Sequence, residues 1–219
     1  MPADITIPIS TLELSITYEK VAIRLMVVDR ATVLEALFSA FEPWKPNVDE
    51  IELITTGKLS EQGVRIRISS QKSSFFFGVA GCKFVKDSAN WAEADETLRL
   101  IETALDTLVK TSRVVFQKID TIVSLHLQLK TESSKDILRG LMSPELLKLD
   151  PSPATAMATV LRWPKRRLTL DGSAALANGI FVSTERQFDA TTSFDDMKAT
   201  IFQDEQDLFN LLDVQEVES

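Results

Sequence analysis

The apolar residues of this chain set out the same order of elements twice. A long alternating strand leads to a short helix, a group of strands follows, and a long amphipathic helix closes the series. The order runs over about Tyr18–Ser112 and again over about Val114–Leu212. It predicts an α+β fold: an antiparallel sheet with helices on one face. The chain then reads as two pseudo-repeated βαββ(β)α halves, residues 1–112 and 113–219, in one compact unit. Val21–Phe38 and Ile122–Leu141 share patterning but not identity. Duplication and the general habit of α+β folds both account for that.

In the first half, Val21, Ile23, Leu25 and Val27 alternate with Ala22, Arg24, Met26 and Val28, which predicts a central strand over Tyr18–Val28. Asp29 is placed to cap a helix carrying Val33, Leu34, Leu37, Phe38 and Phe41, which Pro43 and Pro46 stop. Ile51 and Leu53, then Val64, Ile66 and Ile68, alternate with charged residues and predict half-buried strands. A third strand is expected over Ser74–Phe84. Its Phe75, Phe76 and Phe77 cannot share one face, so both faces there should be covered, by a helix or by a partner chain. Asn90 and Glu93 have capping-box spacing before a helix with Leu98, Ile101, Leu105 and Leu108.

In the second half, Ile119, Thr121, Val123, Leu125, Leu127 and Leu129 form one face of a long strand. Ser133 or Ser134 opens a helix with Ile137, Leu138, Leu141 and Met142, ended at Pro144, and Asp150–Pro153 is the best linker. Strands follow over Thr155–Trp163, Arg167–Leu170 and Ile180–Phe188, with Asp171-Gly172 and Asn178-Gly179 as turn signals. Ser193 and Asp196 open a last helix whose apolar side is Phe194, Met197, Ile201, Leu208 and Leu212.

Composition narrows the function classes. No apolar run approaches the roughly 18 residues of a membrane span, and the longest, Val21–Val28, is broken by Arg24. The N-terminus lacks the pattern of a secretory signal. A single cysteine, Cys82, excludes an intrachain disulfide and points to a reducing cytoplasm. The net charge of −8 disfavours nucleic acid as a partner. The densest basic cluster, Lys165, Arg166 and Arg167 beside Trp163, is expected at the exposed edge of a strand or turn, with an anion or nucleic-acid contact as the other reading. Past Lys198 there is no Lys or Arg, while carboxylates accumulate. That is either a solvated helix face or a docking surface for a basic partner.

Little points to catalysis. One histidine, His126, on the polar side of a strand, cannot make a histidine-rich metal site. Cys82 lies in a small-residue stretch suited to burial, where cysteine behaves as a small hydrophobe. Carboxylates number 32, so pairs among them carry no information, and there is no G-x-S-x-G or phosphate-binding glycine loop. No catalytic, cofactor or metal residue is predicted. Twelve Phe and three Trp, with Trp44, Trp91 and Trp163 near element ends, are much apolar material for a monomer.

The layout also resembles a sporadically distributed bacterial family of uncharacterised proteins. The matching stretches are Ser88-Ala89-Asn90-Trp91-Ala92-Glu93 with its helix to Val109, the strand Ile119–Leu129, and Phe181–Leu212. Leu127-Gln128-Leu129 stands where that family ends its middle strand on an aromatic–asparagine pair. The resemblance implies the fold class and occurrence beside mobile or defence genes, and no activity.

The sequence therefore predicts a non-enzymatic cytoplasmic interaction or regulatory protein, acting as a homo-oligomer or on a protein partner. The candidate partner-binding residues are Phe75, Phe76 and Phe77 on a strand and Asp204, Glu205 and Asp207 on the last helix. A carrier or holdase binding an apolar ligand or unfolded chain between sheet and helices is the second class, and an enzyme using carboxylates the third.

Overall fold

Alternation builds the longest strand, but earlier in the chain than expected. In the computed structural model, which describes residues 2–55, 57–88, 94–142 and 158–217, β1 runs over Ala3–Tyr18. It buries Ala3 and Ile5, then Ser10, Leu12, Leu14, Ile16 and Tyr18. The buried phase thus changes from odd to even positions across Pro8. Proline cannot donate to a ladder, and the phase change hides the strand from a search for strict period two.

The stretch expected as that strand is instead α1, a short helix over Ile23–Val27. Leu25 is buried, while Val21, Ile23, Val27 and Val28 are exposed. β-propensity measures fit to a half-buried pleated surface, and a β-branched run without that surface is not held extended. Asp29 stands at the N-cap of α2, Arg30–Ala40, but its side chain accepts from Arg24 Nε at 3.0 Å rather than capping the helix. Val33, Leu37 and Phe41 are buried, and Pro43 follows.

Four strands come next: β2 (Ile51–Ile54), β3 (Gly63–Ile68), β4 (Ser73–Gly78) and β5 (Gly81–Asp87). The single strand expected over Ser74–Phe84 is a hairpin, with Phe77 opposite Cys82 and Val79-Ala80 at the turn. Gly81 permits the close approach of β5 to β1, since a Cβ there would collide with the carbonyl oxygen of Ile16. Inside, Phe75 packs on Phe41 with ring centroids 5.4 Å apart, and Phe84 on Trp44 at 6.2 Å. Lys86, also buried, lays its ammonium over the Trp44 ring and donates to the Gln71 carbonyl at 3.2 Å. α3, Ala94–Ser112, buries Leu98, Ile101, Leu105 and Leu108, the predicted stripe.

β6, Phe116–Leu129, buries the six expected residues from Ile119 to Leu129 at every second position. Ser133 precedes α4, Ser134–Gly140. Then come β7 (Ala158–Trp163), β8 (Arg166–Gly172) and β9 (Gly179–Asp189). In α5, Phe194–Leu212, the Ser193 hydroxyl accepts from the Asp196 amide at 3.1 Å and donates to its carboxylate at 2.7 Å. The chain then forms β10, Val214–Glu216, which pairs in parallel with Ala3–Ile5 of β1. The Asn90–Glu93 box, Trp91, Pro144 and the Asp150–Pro153 linker lie outside the described residues.

Among the described residues, ten strands make an α+β fold with an antiparallel sheet, to which β10 adds a parallel pairing with β1. The chain groups into two compact units, neither of them a continuous half. One comprises Thr11–Thr121 with Gln187–Lys198; its strand order is β2-β3-β4-β5-β1-β6. The other comprises Met1–Ser10, Ile122–Arg186 and Ala199–Ser219, with order β1-β6-β9-β8-β7 and β10 beside β1. β1, β6, β9 and α5 each change unit along their length.

Core truncations follow directly. Leu105→Ala and Leu125→Ala, at positions both 2 % exposed, should each lose about 2–5 kcal/mol in denaturant melts. A loss below about 1 kcal/mol would mean that the site is not a packed core position.

Candidate functional site

Period two gives β3, β4 and β5 two unlike faces. Val64, Ile66, Ile68, Phe75, Phe77, Cys82 and Phe84 are buried on one. Arg65, Arg67, Ser74, Phe76, Lys83 and Val85 occupy the other. Register then aligns these outward side chains. Arg65 is opposite Phe76, and Phe76 is opposite Lys83, a cross-strand row of cation, aromatic and cation. The neighbouring row is Arg67, Ser74 and Val85. Directly opposite residues have Cβ atoms about 4.5–5.5 Å apart, so each row is a contiguous surface. The two rows line an open groove of about 630 Å³, with Ile54, Lys72, Glu61 and Asp87 around them.

The groove's cations are set among carboxylates. Glu52 Oε2 accepts from Arg65 at 3.2 Å and from Arg67 at 2.9 Å, and Glu50 adds a weaker attraction to Arg67. Lys83 pairs with Glu13 at 2.6 Å. Lys72 Nζ donates to the Ser88 hydroxyl at 3.3 Å. Asp87 accepts from the Thr11 hydroxyl, and Glu61 from the Lys58 amide. Beside the groove, hydrogen bonding from Ser69 holds the Glu50 carboxyl below the ordinary carboxylate range.

The six predicted partner-binding residues do not share a surface. Phe75 and Phe77 are fully buried, and Phe76 alone faces the groove. Phe75 is covered by the chain's own Phe41. Asp204 and Glu205 are 3 % and 8 % exposed, which removes them from any acidic docking face. Asp204 accepts from Arg186 Nε at 2.9 Å and Nη2 at 2.6 Å, and pairs with Arg166 Nη1 at 3.2 Å. Asp207 keeps half its side chain exposed and accepts from Gln203 at 2.8 Å. The basic cluster is drawn into internal pairs: Arg166 meets Asp204 and lies over the Trp163 ring at 5.1 Å, and Arg167 meets Glu185 at 3.0 Å.

Cys82 and His126 are held in structural roles. Cys82 is buried beside Tyr18, and burial pushes its thiol up to about 12 from 9.0 and the Tyr18 phenol up as well. The thiol is therefore protonated at neutral pH and is no thiolate nucleophile. Alkylation at pH 8 should modify Cys82 only after unfolding. The sign of its linkage is fixed: the unfolded chain releases this proton from about pH 9, the folded chain not until about 12. Stability is therefore lost as pH rises through that window. Cys82→Ala should flatten the decline seen in alkaline denaturant titrations.

His126 Nδ1 lies 2.8 Å from Ser173 Oγ. That hydroxyl already accepts from the amides of Ala175 and Leu176 at 3.2 and 3.1 Å. Amides that would stabilise an oxyanion are thus turned onto the serine itself, and the contact anchors a turn. Among the described residues no cluster of three His, Cys, Asp or Glu could hold a metal, and no helix is long and apolar enough to cross a membrane.

No family model and no curated protein matches this chain. Among solved structures, it is similar to Methanococcus jannaschii TBP, with a TM-score of 0.37 and 12% identity over 95% of this chain and 98% of that one. A likeness at that level carries no argument about function.

Proposed function

We propose that this chain is a non-enzymatic cytoplasmic interaction protein that docks a protein partner on the outward face of β3, β4 and β5. The observation that carries the reading is the Arg65–Phe76–Lys83 row, an amphipathic strip open along a groove. Aromatic and arginine side chains at the centre of a patch supply most of the energy in protein recognition. The carboxylates of Glu61 and Asp87 in the same lining repel a phosphate backbone, and the net charge of −8 opposes one at long range. A carrier would need room between sheet and helices, where Phe41, Phe75, Trp44 and Phe84 are in ring contact. The partner is another protein or a second copy of this chain, and the mass in solution separates the two.

A photo-crosslinking residue at position 76 tests this in cells. A discrete protein adduct is expected from position 76 and none from position 211, which is exposed on α5. Arg65→Gln with Lys83→Gln should abolish the adduct with little change in the melting temperature, since both lost ion pairs are solvent-exposed. No adduct, or one removed by nuclease, would overturn the reading.

A further inference from the structure

The strand order β2-β3-β4-β5-β1-β6-β9-β8-β7 ends on β7, whose far edge has no neighbour among the described residues. A row of unpaired N–H and C=O groups is a template for one more strand. Neither a bulge nor a proline interrupts β7, which pairs residue for residue with β8 from Ala158 to Trp163. It exposes Val160 at 42 %, Leu161 at 37 % and Trp163 at 48 %. Period two puts Val160 and Arg162 on one face and Leu161 and Trp163 on the other. Leu161 stands opposite the buried Leu168. Arg162 is directly opposite Arg167, which is opposite Glu185. Glu185 pairs with Arg167 at 3.0 Å, and among the described residues no carboxylate pairs with Arg162. The row thus holds one carboxylate and two guanidiniums, with like charges opposite each other, which a ladder disfavours.

We infer that the free edge of β7 takes an extended segment of a partner protein as a further strand, with a carboxylate opposite Arg162 and an apolar side chain opposite Leu161. The main-chain ladder holds any strand, and the two side-chain positions select this one. Neighbouring residues of a strand point to opposite faces, so the acidic and the apolar residue are adjacent in the partner's sequence. The carboxylate gives the row a second anion for its second guanidinium. The apolar side chain covers the exposed flank of Leu161 and continues the layer that Leu168 begins. Charge disfavours a second copy of β7 as the occupant. The strand contains no Asp or Glu, so self-pairing in any register leaves Arg162 without a carboxylate and brings another arginine onto the same edge. None of these β7 residues lines the Phe76 groove.

Fluorescence anisotropy on the full chain tests this with three short labelled peptides. All alternate threonine and valine, and a central threonine is replaced by glutamate, glutamine or lysine. The glutamate peptide should bind most tightly, about fivefold more tightly than the lysine peptide, because an attraction is exchanged for a repulsion at an exposed site. Arg162→Glu should reverse the order of the peptides. Arg162 is exposed, so that variant should fold, and its melting temperature reports that it does. Hydrogen exchange locates the contact: the glutamate peptide should slow exchange within residues 158–163 and leave residues 51–54, at the other end of the strand order, unchanged. Absence of binding by every peptide at about 1 mM, or the same order of peptides for the Arg162→Glu variant, would overturn the inference. Protection of residues 158–163 in the peptide-free protein, together with a doubled mass in solution, would make a second copy the occupant and overturn it too.

Discussion

Asp204→Ala should cost about 3–5 kcal/mol of unfolding free energy, the loss typical of stripping one partner from a buried ion cluster. The reason lies in the sheet register. Arg166 of β8 is directly opposite Arg186 of β9, with both side chains mostly buried and reaching toward α5. Like charges directly opposite each other in a ladder repel. Asp204 resolves the repulsion with a forked contact to Arg186 and a third contact to Arg166, and its hydrogen bond raises the Arg186 pKa above the ordinary guanidinium value. Without that carboxylate, two half-desolvated guanidiniums face each other. Asp204→Asn keeps the shape and part of the hydrogen bonding, so it should lose less than the alanine variant. Urea titrations measure both. A loss under about 1 kcal/mol for the alanine variant would show that water takes over the carboxylate's role.

Phe75→Ala should cost about 3–5 kcal/mol, while Phe76→Ala, one residue on, should cost about 1 kcal/mol or less. Phe75 is fully buried and packs on Phe41 at 5.4 Å. Phe76 is half-buried on the outward face, between Arg65 and Lys83, whose aliphatic stems can close over the gap. The two variants thus separate folding from binding: the first lowers the denaturation midpoint, and the second spares it but removes the aromatic centre of the groove. A reversal of the order would mean that β4 is shifted by one residue, since such a slip exchanges its two faces.

Where alternation is unbroken, the fold is legible in the sequence. Ile119 to Leu129 keep one phase through β6, the Leu98–Leu108 stripe is the buried side of α3, and Ser193 with Asp196 marks the start of α5. Legibility fails where a local signal misleads. Pro8 interrupts the phase of β1, Val21–Val28 has strand composition without a strand's surroundings, and the Val79-Ala80 turn is apolar, so a hairpin resembles one strand. The groove fails for another reason. Arg65, Phe76 and Lys83 lie on three different strands, and only the register brings them into one row. The acidic helix misleads because composition cannot show that Asp204 faces two arginines.

The parallel pairing of β10 with the start of β1 has a consequence for biosynthesis. Asp4 and Gln215 are hydrogen-bonded at 2.8 Å across a separation of 211 residues. Residues Ala3–Ile5 leave the ribosome about 210 residues before their partner and stay without this neighbour until Val214–Glu216 has followed. Closing so long a loop is an entropic cost met late. The unit containing both segments therefore completes its sheet only after translation has passed residue 216. Until then, this end of β1 presents an open edge, the exposure that chaperones cover on nascent chains.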